Sequence, residues 1–328
     1  MNELKIEHCP ATLKIGHTTY STAALKRIFG GKKVSHILPY NSPAQDELTE
    51  SLFEENQQRV SISGVQEKFS VVLDKNKLRL TNDGEQGQYI LKPIPSVGKN
   101  SDFMPANEHL TMQLAKQVFG ITTAENALIF FQDGSPAYIT KRFDVDEIGT
   151  KKAQEDFAAL AGRTPQTHGE HYKYLGNYLE LFHLLKRFVP AYPAEAPKLF
   201  KLLVFNYLFS NGDAHFKNFS LIETGFGDFM LSPAYDLLNS RIHINDKDFA
   251  LNDGLLPLSE TKGNLRIQFL NLGKKAGISD KQINSILNQF TSNSEKIGDF
   301  INRSFLSESL KRNYEQSYYT RVKKLLKT

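Results

Sequence analysis

The chain has a single cysteine among its 328 residues, so it forms no internal disulfide. That residue, Cys9, stands between His8 and Pro10, and one Cys–His pair lacks the spaced ligand set that zinc requires. No run approaches the roughly 18 apolar residues that a spanning helix needs, and Met1–Lys14 has no apolar stretch of signal-peptide length. Charge of one sign is also scarce. Lys and Arg number 40 against 36 Asp and Glu, a net +4 that is too small to argue for direct nucleic-acid binding. With these classes set aside, the chain reads as a reduced, cytoplasmic protein without membrane contact, and no internal repeat or low-complexity segment interrupts it. A hydrophobic content of 40% suits a packed core in two or three lobes.

Along the chain the pattern changes twice. In residues 1–60, Ser21 precedes a short helix that Gly30 and Gly31 end, and the polar run Asp46–Arg59 reads as a surface helix or linker. Residues 61–145 read as β-rich. Short strands are expected at Lys68–Asp74, Lys77–Leu80 and Gln88–Lys92, and a hairpin turns at Asp133-Gly134 between Ala127–Phe131 and Ala137–Phe143. One helix, Pro105–Phe119, carries Leu110, Leu114 and Val118 on a stripe. Residues 146–328 read as helical, with helices at Leu175–Phe188, Ala196–Phe209, Ile278–Phe290 and Ser307–Leu326. The expected fold is α+β and two-lobed, a β-rich N-lobe followed by a helical C-lobe with a cleft between.

What is abundant in information is the segment Asn211-Gly212-Asp213-Ala214-His215-Phe216-Lys217-Asn218, followed by Asp236 in Ser232-Pro233-Ala234-Tyr235-Asp236. An Asp, an Asn five residues on and a later Asp suit phosphoryl transfer. The first carboxylate takes the proton of a substrate hydroxyl, and the other two oxygen ligands hold Mg²⁺ against a nucleotide triphosphate. Each residue also has a plainer reading. Asn-Gly-Asp is a turn signal, and Asp236 could cap a helix starting at Leu237. His215 either touches the nucleotide or pins the loop. Lys92 could meet phosphates while held by Glu108, although a strand-end lysine is more often a surface residue. The segment Ser61-Ile62-Ser63-Gly64-Val65-Gln66-Glu67-Lys68 could bring backbone N–H groups to phosphates, yet it is neither G-x-G-x-x-G nor a Walker motif.

Taken together, Ser61–Lys68, Tyr89-Ile90-Leu91-Lys92-Pro93, Asn211–Asn218 and Ser232–Asn239 resemble the HipA family of serine/threonine-kinase toxins, in the family's order. Asn107-Glu108-His109, Lys141–Asp144 and Gln154–Phe157 add weaker matches. The resemblance implies a protein-kinase-like fold that uses ATP and Mg²⁺. It makes Asp213 the catalytic base, Asn218 and Asp236 the metal ligands, and Lys92 the phosphate lysine. It sets Lys141, Arg142 and Phe143 against the adenine, and Ser63, Gly64, Val65, Gln66, Glu67 and Lys68 over the phosphates. It also marks Ser61, or Ser63 two residues on, as an autophosphorylation site. A phosphoserine there adds about −1.5 to −2 charge where the ATP phosphates must sit. Only about sixty residues precede this loop, which resembles the shorter HipT type of the three-component HipBST-like systems. That likeness implies an aminoacyl-tRNA synthetase as protein substrate, a small HipS-like antitoxin, and a HipB-like antitoxin through which DNA is met indirectly. A small-molecule or lipid kinase and a silent antitoxin-binding module are the alternatives.

Overall fold

The computed structural model describes residues 6–43, 67–96, 98–146 and 148–327. Within these, the chain is α+β and divides into two compact units. The first takes in residues up to Gln113 together with Ala124–Lys151 and Asp299–Lys311, and the second takes in Leu114–Thr123, Lys152–Gly298 and Arg312 onward.

The first unit is built on a five-stranded antiparallel sheet. Its strands are β1 (Phe69–Asp74), β2 (Lys77–Leu80), β3 (Tyr89–Lys92), β4 (Asn126–Phe130) and β5 (Pro136–Lys141), in the order β2-β1-β3-β5-β4. The β4–β5 hairpin turns at Asp133-Gly134 as its sequence predicts, with Gly134 at φ 88° where a left-handed residue is needed. Helix Thr22–Phe29 also follows expectation. The Ser21 side chain accepts from the Ala24 N–H, and Gly30, left-handed, closes the last turn onto the Leu25 carbonyl. This N-terminal part is fastened to β4. The Leu128 N–H donates to the Pro10 carbonyl, the Tyr20 hydroxyl to the Leu128 carbonyl, and the Leu38 N–H to the Phe130 carbonyl. Cys9 is fully buried there and accepts from the Ser21 N–H at 3.2 Å, so it is a packed core residue. The polar run expected at Asp46–Arg59 lies outside the described residues.

Helix Met104–Gln113 lies against β4 and β5 and is buried on every face, polar positions included. Several of its polar groups are paired internally, though His109 Nδ1 has no hydrogen-bond partner among the described residues. Gln113 donates to Asn126 at 2.8 Å, the Thr111 hydroxyl donates to the Asn107 carbonyl at 2.9 Å, and His109 Nε2 meets the Ala11 carbonyl at 3.2 Å. The helix continues as a π turn, Leu114–Val118, before Gly120 reverses the chain at φ 63°.

The second unit is mainly helical around Tyr192–Leu208. From Leu202 to Leu208 that helix is buried on every face, while its first half leaves Pro193, Ala194 and Lys198 exposed. A small antiparallel sheet, β6 (Gln154–Asp156), β7 (Ser220–Glu223) and β8 (Phe229–Leu231), stands beside it. The expected helix from Leu175 begins at Leu179, because Gly176 takes φ 86° after a 3-10 turn at Tyr172–Tyr174. Helices Leu265–Lys275 and Ser294–Asn302 and the single turns Phe157–Leu160 and Pro165–His168, none of them expected, join Asp280–Thr291 and Glu308–Leu326. No helix among the described residues is long and apolar enough to cross a membrane.

Candidate active site

The Tyr192–Leu208 helix ends at Phe209, and Ser210 turns the chain by adopting φ 56°, a left-handed conformation that a non-glycine residue holds only under constraint. The constraint is visible. The Ser210 carbonyl accepts from the Ser240 N–H at 3.1 Å and lies 2.9 Å from the Ser240 hydroxyl, while Asn211 donates to the Asn206 carbonyl at 2.8 Å. Gly212 donates to the Ser240 oxygen at 2.9 Å. A Cβ at position 212 would sit 2.2 Å from Asp246 Oδ2, so any larger residue there would have to displace the Asp246 carboxylate.

This loop presents Asp213. Its side chain is 51% exposed, and Oδ1 accepts a 2.8 Å hydrogen bond from the Tyr174 hydroxyl. The surrounding protein withdraws water from the carboxyl and pushes its pKa above the ordinary range. The Tyr174 hydrogen bond and the Lys173 charge oppose that push, and the negative charges of Asp236 and Asp246 add to it. The open half of the side chain keeps the displacement solvent-screened, as suits a group that must exchange a proton. Tyr178, fully packed behind, donates to the Ala214 carbonyl at 2.8 Å. The Arg163 guanidinium stacks on the Phe216 ring at 4.5 Å.

His215 is only 8% exposed, and burial, with Lys173 and Lys217 adding repulsion, lowers its pKa to about 3. Its neutral ring stands edge-on to Tyr174 at 5.1 Å, and its backbone N–H donates to Asn218 Oδ1 at 3.1 Å. Among the described residues its ring Nδ1 has no hydrogen-bond partner, so the tie to Asn218 runs through the backbone alone.

Asn218 and Asp236 meet directly, Asn218 Nδ2 donating to Asp236 Oδ2 at 2.9 Å. The helix-capping alternative for Asp236 is not what forms. Asp236 itself takes φ 60°, no helix starts at Leu237, and the next turn is a 3-10 helix at Ser240–Ile242. Asp236 is held from the preceding residue, since the Tyr235 hydroxyl donates to the Lys217 carbonyl at 2.9 Å. The donor set suits Mg²⁺. Asn218 Oδ1 keeps a second lone pair beside the one used by His215, the Asp236 carboxylate is adjacent, and Mg²⁺ typically takes one or two protein oxygens and completes its shell with water and phosphate. Among the described residues no group of three or more His, Cys, Asp or Glu side chains could hold a metal by itself.

In the first unit, Lys92 departs from the surface reading. Its side chain is 5% exposed, and Nζ lies 2.7 Å from Glu108 Oε1, itself 3% exposed. The ammonium also stands 5.4 Å from the centre of the Tyr138 ring. Lys141 ends β5, and the Arg142 guanidinium grips Asp144 with contacts of 3.0 and 2.5 Å, while the Arg142 backbone N–H donates to the Gln88 carbonyl. Phe143 follows in the bend after β5. Glu67 and Lys68 lead into β1, whereas Ser61, Ser63, Gly64, Val65 and Gln66 lie outside the described residues. Tyr174, Tyr178, Arg163 and Lys173 were not singled out in the sequence, and no spacing there marks them.

A β-rich unit with a buried Lys–Glu pair, and a helical unit carrying the Asp–Asn–Asp set, define a kinase-like fold. The family described as HipA-like C-terminal domain matches residues 60–297, and the chain belongs to that family. Three relatives carry the name "Putative kinase". One from Haemophilus influenzae is 24% identical over 314 residues, covering 88% of this chain and 87% of that protein. Two from Sinorhizobium fredii are 31% and 32% identical, and this chain spans only 60% and 43% of their lengths. Among solved structures, a HipA from Shewanella oneidensis MR-1, in complex with HipB and operator DNA of a toxin–antitoxin system, superposes with a TM-score of 0.63 at 20% identity. That match covers 81% of this chain and 65% of that one. The Helicobacter pylori proinflammatory kinase CtkA gives a TM-score of 0.51 at 16% identity, over 77% and 92% of the two chains. Both show the same fold.

Proposed function

We propose that this chain is an ATP- and Mg²⁺-dependent serine/threonine-protein kinase toxin of the HipT type. The observation that carries the reading is the convergence of Asp213, Asn218 and Asp236 on one loop pair, with Asn218 and Asp236 2.9 Å apart and Asp213 oriented by Tyr174. Family membership supports it.

In this reading residues 61–145 hold the nucleotide, residues 146–328 carry the catalytic groups, and residues 1–60 pack on that body. Bound Mg²⁺ supplies charge neutralisation across the phosphates of the nucleotide. Asn218 and Asp236 would hold it, and Lys92, kept in place by Glu108, would meet the α- and β-phosphates. Lys141, Arg142 and Phe143 border the adenine. Asp213 accepts a hydrogen bond from the substrate serine hydroxyl and takes its proton as that oxygen bonds to the γ-phosphorus. The bond from the γ-phosphorus to its bridging oxygen breaks and ADP departs. The half-open carboxyl, with its pKa raised by burial, favours reversible proton uptake.

Regulation and partners follow from the same likeness. Phosphorylation of Ser61 or Ser63 would set charge where ATP phosphates bind and silence the enzyme. The substrate is a translation protein, with an aminoacyl-tRNA synthetase as first choice. The Shewanella HipA was solved with HipB and operator DNA, which favours a HipB-like antitoxin reaching DNA on this chain's behalf, beside a small HipS-like antitoxin, all in the cytoplasm.

The test is intact-protein and peptide mass spectrometry after incubation with Mg·ATP, comparing wild type with Asp213→Asn. Wild type is expected to gain phosphate on Ser61 or Ser63 and the variant none. Equal phosphate gain in the two would remove Asp213 from the role of base.

A further inference from the structure

Behind the catalytic loop the last described helix makes contacts that the reaction does not itself require. Arg321 is 1% exposed, an unusual cost for a guanidinium. It is positioned by three partners. Nη1 lies 2.6 Å from Asp248 Oδ1, the guanidinium covers the Tyr207 ring at 4.7 Å, and Nε reaches the Ser210 hydroxyl at 3.4 Å. One turn earlier on the same helix, the Ser317 hydroxyl accepts from Asn239 Nδ2 at 2.8 Å and donates to its own helix at the Tyr314 carbonyl. Asp248 collects two further cations, Arg241 at 2.9 Å and Lys324 at 3.3 Å.

The addresses of these contacts matter. Ser210 stands three residues before Asp213, and Asn239 three residues after Asp236. Ser210 and Asp236 are both non-glycine residues in the left-handed region, at φ 56° and 60°. Such conformations persist where surrounding structure fixes them. Ser240 joins the two loops through the Ser210 carbonyl and the Gly212 N–H, and Arg321 and Ser317 tie both loops to one rigid helix.

We propose that Arg321 and Ser317 are positioning residues for the catalytic loop and for the metal-binding Asp236, with Asp248 as the anion that keeps Arg321 in place. The assignment of catalytic roles rests on the kinase reading above. The mechanical claim, that the helix holds both loops, does not.

Arg321→Gln removes the charge and the fork. Ser317→Ala removes one partly exposed hydroxyl at little risk to folding, and Ser317→Thr restores it. Amide hydrogen exchange by mass spectrometry reads the loops directly. Peptides covering Ser210–Asp213 and Asp236–Ser240 are expected to exchange on the order of tenfold faster in Arg321→Gln and Ser317→Ala, and at the wild-type rate in Ser317→Thr. In phosphotransfer assays kcat is expected to fall on the order of 10- to 100-fold in Arg321→Gln. The half-saturating Mg²⁺ concentration should rise in Ser317→Ala, and KM for ATP should stay within about twofold. Unchanged exchange in both loops for both folded variants would overturn the proposal, whatever the activity. Faster exchange in the variants, with wild type itself transferring no more phosphate than Asp213→Asn, would uphold the positioning and sink the kinase reading instead.

Discussion

The Tyr174 hydroxyl donates a 2.8 Å hydrogen bond to Oδ1 of Asp213, its partner 39 residues on in the sequence. A hydrogen bond to a carboxylate favours its charged form, so Tyr174 restrains a pKa that lost hydration would otherwise raise further. Tyr174→Phe keeps the ring against His215 and removes the donor. The acidic limb of the kcat/KM–pH profile is expected to move to higher pH in that variant. A move to lower pH would show that the hydroxyl does not stabilise the ionised base.

Asp213→Asn separates catalysis from stability. As a base substitution it should lower kcat by roughly 10²- to 10⁴-fold. The stability effect has the opposite sign. A carboxyl whose folded pKa is raised above its unfolded value carries an unfavourable charge in the native state above that pKa. The amide carries none and still accepts from Tyr174. Urea midpoints should therefore be higher for the variant than for wild type at pH 7 to 8, and the gap should close as pH falls through the carboxylate range.

Much of this arrangement was legible from local pattern. The β4–β5 hairpin turns at Asp133-Gly134, and the apolar density around Ala196–Phe209 marks a buried helix because few polar residues interrupt it. Asp213, nominated as the base, and His215 and Asn218, nominated as nucleotide and metal contacts, were picked out by their spacing, and they share one loop. The residues that hold that loop were not. Tyr174 and Arg321 act across 39 and 111 residues of sequence, and neither sits in a periodic or turn-forming context that marks it. Lys92 by itself looks like a solvent-bound strand-end lysine, but the Glu108 named as its partner lies 2.7 Å away, and both side chains are buried. Asp236 precedes residues that read as a helix start, but its left-handed backbone and the Tyr235–Lys217 bond commit it to the loop instead.

The Lys92–Glu108 pair predicts a double-mutant signature. Both groups are nearly inaccessible, so removing either one takes the opposite charge at 2.7 Å away from a buried ion. Lys92→Met or Glu108→Leu alone should destabilise the protein by about 3–5 kcal/mol. The double substitution replaces both charges with apolar volume and should cost much less than the sum. Additive effects in denaturant titrations would show that the two side chains are solvated independently. Activity should be lost in all three, because the reading gives Lys92 a role at the phosphates.

His215 sets a pH dependence of stability whose direction follows from its burial. Its folded pKa is depressed to about 3 from an unfolded value near 6.5. Above pH 6.5 both states hold it neutral and it contributes nothing to the slope. Below that, the unfolded chain takes up a proton that the native ring refuses, so stability falls as pH drops from 6.5 toward 3. The loss approaches about 1.4 kcal/mol per pH unit at most for one such group. His109, buried and lowered to about 4, acts in the same direction over a narrower window. Between pH 7 and 5, where most carboxylates stay ionised, urea unfolding should show a declining midpoint in wild type. The decline should be shallower in His215→Gln, whose side chain does not titrate. An unchanged slope in that variant would mean that His215 is protonated in the native protein, and that its ring is not enclosed behind Tyr174 as the structure has it.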